Sequence, residues 1–240
     1  MGNGEGGTAM LAALTGLGLS TAAGLNAYIP LLVVGVLANL TDAVRLPHDY
    51  AWLGDGWVLA IIGVLLAAEL VLDKVPVVDH VNDMIQTAVR PAAGGVVFTA
   101  TQAAERFDHS AWMSGHPWVS WVLGIGIALA VHVMKATARP VVNVSTAGAG
   151  APVVSTVEDA GALGMSLVAV FFPVLVVVAL VVLAVPTWWA LRRVRRLRAR
   201  RAARRTSPDP PGRLREVTQR GKMAMDGEST SQGPASTAAG

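Results

Sequence analysis

Apolar residues gather into four long runs, residues 8–40, 56–75, 117–138 and 163–190. Each reaches the roughly 20 residues that a helix needs to cross the hydrocarbon of a bilayer. The pattern predicts an all-α integral membrane protein with about four full transmembrane helices. The first run is too long for one straight crossing. In its middle, GLNAYIP places Gly24, Asn26 and Pro30 together, and a proline inside a helix removes a backbone hydrogen bond. A broken helix is expected there, with Asn26 as a polar group at the break. A weaker apolar stretch, residues 91–104, follows Arg90-Pro91 and is short enough for a re-entrant or half-crossing element.

Polar residues interrupt this pattern most sharply in ELVLDKVPVVDHVNDMIQTAVRP, residues 69–91. Glu69, Asp73, Lys74, Asp79, Asp83 and Arg90 would each be costly in hydrocarbon, so they must pair, line a wet cavity or bind something. On a helix starting at Pro76, Asp79, Asp83, Gln86 and Arg90 share one face, and Glu69 and Asp73 lie one turn apart. Further along, His132 and Lys135 are also one turn apart and lead into Arg139. Six acids, Glu69, Asp73, Asp79, Asp83, Glu158 and Asp159, face four counter-charges, Lys74, Arg90, Lys135 and Arg139. Two negatives are left over, which favours a bound cation or proton, because neighbouring carboxylates cannot all ionise cheaply. If the cations instead neutralise the acids, the same residues form a buried lattice. His132 suits a proton relay, although a lone histidine on an apolar helix is more commonly a packing residue, and Lys135 can snorkel to the interface.

The octet PVVDHVND, from Pro76, returns as PVVSTVED, from Pro152, with five of eight positions identical. TAVRP follows the first copy and TARP precedes the second. With one crossing per long run, the two copies would approach from opposite sides of the membrane, as inverted repeats do. Transporters often place a site where such halves meet at broken helices. The plainer explanation is a shared way of starting a helix, with proline at its first turn and acid nearby. Both accounts predict helices beginning near Pro76 and Pro152, with Asn82 and Asn143 as polar groups beside the breaks.

Composition agrees with a membrane class. Of 240 residues, 53% are hydrophobic and only 15% charged, and the mean hydropathy is +0.51. Thirteen of the 19 Lys and Arg lie between Arg192 and Lys222, so the net positive charge describes the C-terminal tail and the body is acidic. The cluster from Arg192 to Arg205 follows the last apolar run directly, which places the tail in the cytoplasm and suits contact with anionic lipids of the bilayer; nucleic acid is not expected. The loop 41–55 holds three Asp and one Arg and fits the outer face, putting the N-terminus in the cytoplasm if the first run crosses once. Domains follow as a short polar N-terminus at 1–7, a transmembrane domain at 8–190, and a basic, then disordered, tail at 191–240.

No cysteine is present, which excludes thiolate metal sites and cysteine nucleophiles. There is no GxSxG elbow, HExxH helix or EF-hand loop, so a hydrolase or protease is not indicated. The small-residue segments 16–24 and 142–152 lack the pattern of a nucleotide loop and suit helix packing. No cofactor is predicted. An all-oxygen set from Asp79, Asn82, Asp83, Glu158 and Asp159 would suit Mg²⁺ or Ca²⁺ better than zinc.

GLNAYIPLLVVGVLA at 24–38, ELVLDKVPVVDHVNDMIQTAVRPAAGG at 69–95 and ARPVVNVSTAGAGAPVVSTVEDAGA at 138–162 together resemble an uncharacterised bacterial membrane family, domain of unknown function four-one-two-six. The resemblance covers about residues 10–190 and implies a bacterial integral membrane protein; it supplies no activity. The residues themselves suggest a small transporter or channel coupled to protons or a cation, with Asp79, Asp83, Glu158 and Asp159, joined by Glu69 and Asp73, as its acids. A body this small would need a second copy to enclose a pathway. The alternatives are a non-transporting scaffold or assembly factor and, further off, a lipid-linked membrane enzyme.

Overall fold

The computed structural model describes residues 3–41, 43–73, 76–105, 116–146, 150–182, 185, 192 and 196. The chain divides into two compact units, Met1–Trp189 and Ala190–Gly240, and the bundle is built within the first. Its helices are α1 (Asn3–Leu25), α2 (Tyr28–Leu40), a 3-10 turn (His48–Gly54), α3 (Gly56–Leu72), α4 (Pro76–Glu105), α5 (Pro117–Thr146) and α6 (Ala151–Phe171). Helical backbone resumes over 175–182, and there is no strand among the described residues.

The first apolar run breaks at Asn26, as its sequence predicts, but it does not cross as one bent helix. Residues 43–46 line the same cavity as Thr15 and Leu19. If α2 continued along the axis of α1, a rise of 1.5 Å per residue would carry Val44 about 40 Å from Thr15. The chain therefore folds back at Asn26, and Ile29 and Val34 of α2 join Leu19 and Ala22 of α1 in one core cluster. α1 and the loop after α2 thus approach the same end of the bundle.

The other hairpins share this direction. Lys135 of α5 reaches the carbonyl of Leu25, while Gly124, three turns earlier, packs on Gly94 and Phe98 of α4. α4 and α6 run the opposite way and end at the cavity, lined there by Thr101 and Val170. Both PVV copies therefore start helices at one end of the bundle, at Pro76 and Ala151. The helix starts are where the sequence placed them, but the copies run parallel, which overturns the inverted-repeat expectation. A repeat read from eight residues carries no information on direction; the turn at Asn26 supplies it.

Two further expectations change. α4 continues through Pro91, so residues 91–104 are no separate half-crossing. The missing N–H costs the ladder one bond, yet Ala93, Gly94 and Val97 just beyond are buried against neighbouring helices, and that packing holds the helix together. The run 163–190 is interrupted at residues 172–174, a bend that brings Val176 onto Gly18 beside Ala169. Among the described residues, Trp118–Arg139 and Ala151–Phe171 are long and apolar enough to cross a membrane, and His48–Gly54 with Gly56–Leu72, bent by 59°, passes as a third span. Met10–Leu25 and Tyr28–Leu40 are shorter apolar helices.

α1 is the central helix, packed against α4, α5 and α6, while α2 lies on α3 and α6. Small residues permit this closeness: Ala22, Ala23, Ala27, Ala93, Ala128 and Ala162 are buried. Outward, Ile61, Val64, Val122, Leu163 and Val178 are exposed, as are Trp57 and Trp118, the surface expected of a bundle facing lipid with aromatic side chains near its rim.

At the α4–α5 crossing, a Cβ on Gly94 would strike Ala128 Cβ and the backbone of Gly124, whereas Gly126 faces open space. Gly94→Val should destabilise the fold by about 1–3 kcal/mol through overpacking. Gly126→Val should leave it nearly unchanged, and thermal unfolding of the two purified variants checks both.

Candidate functional site

The turn between α1 and α2 leaves helix ends inside the protein, where backbone groups need partners. Asn26 supplies one set. Its Oδ1 accepts from the backbone N–H of Tyr28 at 3.0 Å and of Ile29 at 3.3 Å, capping α2 with side-chain oxygen. Its Nδ2 donates to Asp159 Oδ1 on α6 at 3.0 Å. The other end is met by Lys135, whose Nζ donates to the carbonyl of Leu25 at 2.9 Å, the favoured partner for the negative end of a helix.

Lys135 Nζ also lies 3.0 Å from Glu158 Oε2 and 3.5 Å from Asp73 Oδ2. One turn on, Arg139 Nη2 lies 3.0 Å from each of those two oxygens. Asp73 is the hub: its Oδ1 accepts from Asn82 Nδ2 at 2.6 Å, and its Oδ2 is 3.9 Å from Arg90 Nη2. Arg90 in turn donates to Glu69 Oε1 at 2.8 Å. Arg90 is 0% exposed and Glu69 1%, so neither charge has water as an alternative partner.

Arg90 Nη1 lies 3.0 Å from His132 Nδ1. A guanidinium only donates, so Nδ1 accepts, the ring proton sits on Nε2, and Nε2–H donates to Thr87 Oγ1 at 3.1 Å. His132 is thus a neutral partner of the network.

Of the residues singled out from sequence, Asn26, Glu69, Asp73, Asn82, Arg90, Lys135, Arg139, Glu158 and Asp159 are brought together here. Lys74 and the side chains of Asp79, Asp83 and Asn143 lie outside the described residues. Within the described set, four acids, Glu69, Asp73, Glu158 and Asp159, meet three cations, Arg90, Lys135 and Arg139. Among the described residues, Asp159 is held by an amide rather than a cation, and Asp159 Oδ2 and Glu69 Oε2 have no hydrogen-bond partner. Lys135, read from sequence both as a counter-charge and as a side chain able to snorkel, is a central cation of the network. Sequence reasoning passed over Thr87 and the Leu25 carbonyl. The first could be sought from its position opposite a histidine, but a backbone acceptor has no signature in sequence. No group of three or more His, Asp or Glu among the described residues is arranged to hold a metal.

The family model described as Domain of unknown function (DUF4126) matches residues 13–193. The chain belongs to that family. The DUF4126 match contains every residue of the charged network and all but the first turns of α1, and it ends inside the Arg cluster. No curated protein and no solved structure matches the chain.

The geometry predicts unequal costs on neutralisation. Asp73→Asn strips Lys135 and Arg139 of a shared carboxylate and should destabilise by about 3–5 kcal/mol, the usual effect of orphaning buried charge. Arg139→Gln in that background should cost much less than it does alone. A double-mutant cycle from denaturant or thermal unfolding gives the coupling.

Proposed function

We propose that the chain is a small multi-pass transporter or channel of the bacterial cytoplasmic membrane, coupled to protons or a cation, with the charged network at the hairpin turns as the coupling site. The observation that carries this reading is the surroundings of Lys135 Nζ. A helix-end carbonyl and two carboxylates from α3 and α6 converge on it, the oxygen-rich environment in which broken-helix transporters hold a cation. Here a tethered ammonium fills it. The carboxylate of Asp159, without a cation partner among the described residues and tied to the helix break through Asn26, is the group through which coupling would reach the hairpin.

In this reading the loop 41–55, rich in Asp, faces outward together with the start of α1, the charged end lies toward the cytoplasm, and the Arg cluster from Arg192 to Arg205 contacts anionic lipid. A second copy would complete the pathway.

The scaffold reading is favoured by a specific observation as well: Asp73 is shared by three cations and Asn82, as expected of charges that only lock helices together. Asp159→Asn separates the two. Because Asp159 bonds an amide, the substitution should cost under about 1.5 kcal/mol of stability, the net value of one hydrogen bond. In proteoliposomes carrying a pH-sensitive dye, transport predicts a flux in the wild type that falls at least tenfold in Asp159→Asn. No flux in the wild type, or an equal flux in the variant, would leave the scaffold.

A further inference from the structure

At the opposite end of the bundle from the charged network, α1, α2, α4, α6 and residues 43–46 line a half-open cavity of about 150 Å³. Leu19, Val34, Val44, Leu46 and Val170 form apolar walls, and Thr15, Thr101 and Arg45 are its polar groups. That is roughly the volume of one benzene-sized group, with polar and apolar surface both on offer.

The polar groups define what else the occupant must carry. Thr15 Oγ1 donates to the Leu11 carbonyl at 3.0 Å and Thr101 Oγ1 to the Val97 carbonyl at 2.7 Å. With their protons committed to their own helices, both oxygens present lone pairs and can only accept from a ligand. Arg45 is the one cation in the loop 41–55. It is exposed, lines the cavity, and has no carboxylate partner among the described residues. A guanidinium at the rim of a pocket with apolar walls recognises a carboxylate by paired donation.

We infer that this cavity is a binding site for a small organic monoanion: a carboxylate held by Arg45, on an apolar body about the size of benzene, with a hydroxyl or N–H group directed at Thr15 or Thr101. The site would be the vestibule in which the proposed transporter meets its substrate. It rests on that reading for its purpose only, since binding is measurable without flux.

The test uses the full chain in phosphatidylcholine nanodiscs, with 4-hydroxybenzoate as the probe and 4-hydroxybenzamide as its uncharged isostere, read by calorimetry. The wild type should bind the acid and bind the amide at least tenfold more weakly. Arg45→Gln should weaken the acid by roughly 10–100-fold, the value of a charge-assisted pair, without altering the weak binding of the amide. Ala43→Phe, on an exposed cavity-lining position, should block both. Equal affinity for acid and amide, no effect of Arg45→Gln, no effect of Ala43→Phe, or no binding of either probe would each overturn the site. Absence of proteoliposome flux alongside intact Arg45-dependent binding would overturn transport and leave the site standing.

Discussion

Asp73 is the residue on which the bundle turns. Its carboxylate is buried and receives Asn82 on one oxygen and Arg139, Lys135 and Arg90 around the other. A single negative charge among three positive ones would be unfavourable on its own; Glu69 and Glu158 on either side restore the balance. Each of these ions is costly to remove from water, and the cost is offset only when geometry is good and every partner is present. The pairs join α3, α4, α5 and α6, so the arrangement of those helices and the closure of the network are one condition.

That condition reaches the central hairpin through two contacts. Lys135 holds the last carbonyl of α1, and Asp159 holds the side chain that caps α2. Without them, a helix turn inside an apolar bundle would leave backbone groups unsatisfied, each costing several kcal/mol in hydrocarbon. The same residues that permit the break therefore tie the ends of two helices to the charged network. The Arg90–His132–Thr87 chain extends the network along α4 and α5 beside Pro91, where the backbone ladder already lacks a donor.

Much of this was legible in the sequence, in a particular way. Glu69, Asp73, Arg90, Lys135 and Arg139 had to meet because hydrocarbon would not tolerate them separately, and they do. Asn26 was marked by its place in GLNAYIP. Helix starts near Pro76 and Pro152 followed from proline at the first turn. Direction was not legible. A mostly apolar stretch of 33 residues, 8–40, reads equally well as a bent crossing and as a hairpin, because hydropathy is blind to whether α2 continues or returns. What decides it is tertiary: Leu19, Ile29 and Val34 bury one another, a contact between residues ten to fifteen apart that no periodicity announces. The parallel order of the PVV copies and the loss of the inverted repeat follow from that single reversal. Pro91 misled for a related reason, since the local rule against proline was outweighed by the packing of Ala93, Gly94 and Val97.

The fold-back at Asn26 is the claim that everything else inherits, and it has a direct measure. The chain has no native cysteine, so spin labels can be placed at Thr15→Cys and Val44→Cys alone and their separation read by pulsed electron resonance in nanodiscs. The account predicts a distribution centred below about 20 Å, because both residues border one cavity. A separation near 40 Å, the reach of helix continuing straight through Asn26, would contradict it.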